Sequence, residues 1–282
     1  MTSRWLLSAV AATGLSTSMF PTLTIVHAQA TTQSEAFDVI SIRENRAGAT
    51  TSIRQQPLGI TATNATALDL IRFAFDVIER EVVGELPAWV RATRFDVAGR
   101  TELGPLTRSR LRAMTRAMLE DRFRLDTSRE RAMGPVYSLV RTRSELRPFD
   151  GTTVGMRPSQ TTCVVDPLLR TPGDAATPVT RTCGFAEGIG GALTDLFGYR
   201  VTMQGLARQL SRMAGFDRPI VDRTGLTGEF DLTIHPTPDM VAPTPAARFL
   251  IALREQLGLE LRAEEGSFDV LRVRRIEQPT PN

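Results

Sequence analysis

The chain has 282 residues, with 34 basic residues, all of them arginine, against 31 acidic ones, for a net charge of +3. That length suits one large domain or two small ones with a real core, and so small a net charge gives nucleic acid no general attraction. Only two histidines and two cysteines are present, so a histidine-rich zinc centre cannot be assembled within one chain and no metal site or cofactor is expected.

The first element in chain order is an export signal. Arg4 supplies the positive start, and an apolar and small-residue run extends from Trp5 to Val26. Ala28 and Ala30 frame Gln29 in the small-x-small pattern that a signal peptidase admits. Thr13, Gly14 and Pro21 dilute the run, which argues against a retained membrane anchor. We expect residues 1–30 to be removed, leaving a mature chain without a transmembrane segment, secreted or periplasmic. His27 leaves with the signal, so a Ser-His-Asp or Cys-His centre would have to use His235.

An N-terminal block covers 35–143. Residues 37–42 and 94–98 alternate apolar and polar as half-buried strands, and 58–63 reads as another. Asn64 or Thr66 caps a helix buried along Leu68, Ile71, Phe75 and Ile78. Trp89 packs a short turn. A second helix, from near Pro105 to Asp121, buries Leu111, Met114, Met118 and Leu119. Residues 125–131 and 136–141 look like a hairpin turned at Gly134 and Pro135.

From 144 to 195 the periodicity vanishes into a Pro/Gly-rich insertion. It holds Cys163 and Cys183, which in an oxidising compartment read as one disulfide.

The second block, 196–276, reads strand, helix, strand, strand, helix, strand, strand, ahead of a tail at 277–282. Its first helix carries Met203, Leu206, Leu210 and Met213, and 230–234 alternate cleanly. The last two strands look like a hairpin around Glu265 and Gly266. The expected class is α+β: small mixed or antiparallel sheets with helices on one face. Helix followed by Phe-Asp-Val occurs in both blocks, which fits a distant internal repeat.

Several stretches carry a family resemblance: 83–89 with 94–97, 119–125, 219–231, 252–259, and the tail from Ile276 to Asn282. In this order they resemble the uncharacterised, soil-associated family of secreted bacterial proteins, across essentially the whole mature chain. The resemblance implies no reaction. It does imply sensing or partner binding, since members can be fused to membrane regulatory peptidases of the antibiotic-sensing type. The last block is also similar to the short N-terminal domain of secretins and TonB-dependent receptors, an envelope contact module, although 236–245 lengthens the link before its second helix.

Two constellations invite chemistry. Asp222, Thr224, Gly225, Gly228, Glu229 and Asp231 form a glycine turn flanked by carboxylates. Turn geometry accounts for it, with calcium ligation or acid–base work as alternatives, and alternation sends Glu229 and Asp231 to solvent. Arg108, Arg112 and Arg116 recur at four-residue steps with Glu120. They read as a solvated basic face with Arg–Glu pairing, or as a site for an acidic partner. Export removes intracellular nucleic acid as a partner, and no aromatics interleave for base stacking. Ser211 and Ser267 lack a nucleophile-elbow context, so no catalytic residue is assigned. The reading is a non-catalytic envelope binding or interaction module whose partner is an envelope protein or extracellular ligand. The alternatives are a carboxylate-based hydrolase and a small-ligand sensor.

Overall fold

A computed structural model describes residues 36–48, 50–142, 154–163, 183–187, 195–213, 215–236 and 244–279. Ala28 and Ala30 of the expected signal, and most of the insertion, lie outside the described residues.

The first sheet is antiparallel. It contains β1 (Val39–Glu44), β2 (Ser52–Gln56) and β3 (Gly59–Thr66), with β5 (Arg94–Arg100) between β1 and β3. Between β3 and β5 the chain forms α1 (Ala67–Phe75), the two-residue β4 (Val82–Val83) and the single turn α2 (Trp89–Ala92). Thr66 ends β3 and starts α1 in one step. The Asp69 amide donates to the Thr66 hydroxyl, and the Thr66 amide donates back to the Asp69 carboxylate, a reciprocal cap that satisfies two orphan donors. Next comes α3 (Arg108–Arg122), buried along Leu111, Met114, Met118 and Leu119 as its periodicity requires. Trp89 packs edge-on to Phe95 and stacks on Phe123, so it serves the core.

A second sheet crosses both blocks. Strand β6 (Asp126–Arg141) pairs antiparallel with the last strand, β12 (Leu259–Arg275), from Arg141 opposite Leu259 to Asp126 opposite Arg275. Strand β4 adds parallel to β12. On the other side, β10 (Ile220–Asp222) adds parallel to β6. This corrects both expected hairpins, because neither strand turns. Gly134 lies opposite Gly266 in mid-ribbon, where a Cβ on Gly266 would come 2.7 Å from Val136 Cγ2. The glycine answers a close approach, not a turn. The Tyr137 amide donates to Pro219 on the β10 side. Two residues back, the Pro135 nitrogen faces that same side beyond the end of β10, so no ladder bond is lost there.

The third sheet is also antiparallel, in the order β7 (Gly155–Pro158), β11 (Phe230–Ile234), β9 (Leu196–Val201) and β8 (Gly184–Glu187). The stretch that reads as a patternless insertion therefore supplies both edge strands. Two helices complete this half: α4 (Met203–Arg212), and α5 (Pro245–Ala252), which runs on as a π-helical turn over Leu253–Leu257. Gly258, at φ +67, ends that turn.

The apolar residues gather in two cores. One joins the first sheet with α1 and α3 and takes in Leu271 and Val273 of β12. The other joins the third sheet with α4 and α5 and takes in Leu139 of β6 and Leu259 of β12. The ribbon thus roots one end in each of two lobes, and the architecture is α+β.

Candidate functional site: an arginine-ringed helix end between two grooves

Helix α1 ends at Asp76, which adopts the left-handed conformation at φ 60, a region that Asp tolerates better than most residues. Its carboxylate lies 2.5 Å from Arg112 of α3, 2.5 Å from Arg212 of α4 and 4.0 Å from Arg208 of α4. The last carbonyls of α1 have no partner within the helix. Here Ala74 accepts from Arg116 at 2.8 Å, Phe75 from Arg129 at 3.1 Å and Asp76 from Arg212 at 3.5 Å. The negative end of the helix dipole and one carboxylate draw arginines from α3, β6 and α4 to a single point. Burial lowers the pKa of Arg112, with the Asp76 carboxylate opposing it. Burial also raises the Glu81 carboxyl, against the amide of Ile78 and the charges of Arg208 and Arg212.

Helices α1 and α3 belong to one lobe and α4 to the other, so this cluster ties the lobes together across the ribbon. A groove opens on each side of it. The larger, about 740 Å³, runs past Arg72, Arg80, Arg212 and Phe216. The smaller, about 430 Å³, is lined by Arg129, Arg131 and Asp269 of the ribbon, by Arg208, and by Asp222 and Arg223. Asp76 and Val77 line both. Both volumes fall within the range of small-ligand pockets, and both grooves carry more charge than such pockets usually do.

Of the arginine stripe, Arg112 and Arg116 are not the expected solvated face. They turn inward onto the end of α1, Arg116 also lying 5.8 Å over the Phe75 ring. Arg108 opens the helix behind its cap, Thr107.

The carboxylates around the glycine turn disperse. Asp222 Oδ1 accepts from the amide and hydroxyl of Thr224 at 2.9 and 2.8 Å, a local turn bond. Gly225 and Gly228 take φ +68 and +92, which suits glycine there. Glu229 pairs with Arg200 at 2.7 Å on the surface.

Asp231 departs from expectation, being fully buried rather than solvent-facing. A strap that leaves β7 covers its face of the sheet. In that strap the hydroxyls of Ser159 and Thr161 each donate to Asp231 at 2.6 Å, and the Arg200 amide adds a third bond at 3.2 Å. Arg157 stands 3.7 Å away. Burial pushes the carboxyl up, but the two hydroxyls, the amide and the guanidinium together hold it below its ordinary value. With donors on both oxygens it is a structural anion and unsuited to proton transfer. The strap ends at Cys163, disulfide-bonded to Cys183 at the start of β8, with a Cα–Cα distance of 5.1 Å.

His235 Nδ1 meets Asp195, a pairing that nothing in the sequence pattern signals. Ser211 is spent inside its own lobe, donating to Ala207 and accepting from Ile220. Ser267 lines the smaller groove. Among the described residues no three His, Cys, Asp or Glu side chains come together as a metal site. Nor is any helix among them long and apolar enough to cross a membrane.

No curated protein and no solved structure matches the chain. A family match does cover residues 68–276, from α1 to just past β12, and so includes the arginine cluster and the whole of the smaller groove. By that match the chain belongs to DUF3738, a family described as proteins of unknown function.

Proposed function

We propose that the protein is an exported, non-catalytic binding module of the bacterial cell envelope that engages its partner at the saddle between the lobes. The observation that carries this reading is the guanidinium cluster around Asp76, where side chains from three elements converge between two grooves. Export is supported by the Arg4-to-Ala30 signal pattern and by the Cys163–Cys183 bridge, since such bonds persist in oxidising compartments. The resemblance to secreted proteins and to envelope contact modules points the same way.

A photo-crosslinking residue at position 80 or 131, one in each groove, tests the reading in the envelope fraction. One dominant partner captured from these positions, and absent when the crosslinker replaces Arg254 in the π-helical turn after α5, is expected. The same mixture of proteins from all three positions refutes a specific saddle. N-terminal sequencing of the exported protein is expected to begin at Thr31.

A further inference from the structure

The smaller groove carries four guanidiniums, Arg129, Arg131, Arg208 and Arg223, and four carboxylates, Asp76, Glu81, Asp222 and Asp269. Two pairs are already made: Arg131 lies 3.6 Å from Asp269, and Arg208 lies 4.0 Å from Asp76. The other four groups share the groove without an ion pair among the described residues. Three of them are held in place by hydrogen bonds, one each for Arg129 and Glu81 and two to a single oxygen of Asp222. Arg129 donates to the Phe75 carbonyl, Glu81 Oε2 accepts from the Ile78 amide, and Asp222 Oδ1 accepts from Thr224. Each keeps further donors or a second oxygen uncommitted. Opposite charges are thus oriented in advance around one space of about 430 Å³, and such preorganisation lowers the entropy lost on binding.

A polyanion would meet the carboxylates, and a polycation the guanidiniums. A ligand carrying one charge of each sign satisfies both. Val77, Ile220, Val221 and Phe268 line the same groove and supply apolar contact between the charged groups. We propose that this groove binds a short peptide by its free ends, the carboxylate taken by Arg129, Arg208 and Arg223, and the ammonium by Glu81 and Asp222.

This assignment rests on the binding-module reading and goes further by naming the ligand class. Its test is calorimetric titration of the mature protein with trialanine, N-acetyl-trialanine and trialanine amide. Saturable binding of the free peptide is expected. Blocking either end should weaken it by about 10- to 100-fold, the usual worth of a charge-assisted contact. Arg223→Ala and Arg208→Ala, both at exposed side chains, should weaken binding of the free peptide by a similar factor with little change in melting temperature. Arg254→Ala, outside the groove, should bind as wild type. Equal binding of all three peptides, or none, overturns the proposal. If trialanine fails while position 131 still captures a single envelope partner, the peptide assignment falls and the binding module stands. Loss of both removes both.

Discussion

Asp231→Ala is expected to destabilise the protein by about 3–5 kcal/mol, the usual penalty for removing one side of a buried charged network. The change leaves the hydroxyls of Ser159 and Thr161 and the amide of Arg200 without their acceptor under the strap, where water cannot readily replace it. Urea denaturation at neutral pH measures the loss. Its pH dependence has a defined sign. The native carboxyl titrates below its ordinary value, so its stabilisation is complete above the unfolded pKa of about 4 and is lost as pH falls through the native pKa. The gap between wild type and Asp231→Ala should therefore be full at neutral pH and narrow in acid below about pH 4. A gap that stays constant into strong acid contradicts the ionised-anchor account.

Phe249→Ala should destabilise by a comparable amount, about 3–5 kcal/mol, through lost transfer energy and the cavity left behind. Phe249 is fully buried in the core of the α4–α5 lobe, which shares no residue with the other core. The two lobes meet through the ribbon, the arginine cluster and a bond from Arg80 to the Phe216 carbonyl, with no shared core residue, so the damage should be regional. Hydrogen exchange should quicken in α4, β9 and β11 while α1 and α3 keep their protection. Equal acceleration in both lobes would show one cooperative unit and remove the two-lobed description.

What could be read from the sequence tracks how local its cause is. The apolar stripes of α3 and α4, the Thr66 cap and the alternation of β11 depend on neighbours within a few residues, and all are legible. The ribbon is not legible in the sequence, because Gly134, Pro135 and Gly266 are turn signals in isolation and only the partner strand shows that they lie opposite one another. Strands β7 and β8 have no periodicity of their own and exist by pairing with β11 and β9. Asp231 looks solvent-facing by alternation, because the hydroxyls that cover it stand some 70 positions earlier in the chain. The arginine stripe is visible in the sequence, but the place it turns to is not. Asp76 ends a helix in one lobe, and Arg212 reaches it from the other across 136 positions.

Hydrogen exchange on residues 31–282, free and in complex with a partner captured at position 131, tests the binding account most directly. The account predicts slowed exchange at 76–81, 129–131, 220–223 and 267–269, the segments that line the saddle, with the outer edge of β1 unchanged. Protection confined to β1, or to the far face of the third sheet, would place the partner elsewhere and contradict it.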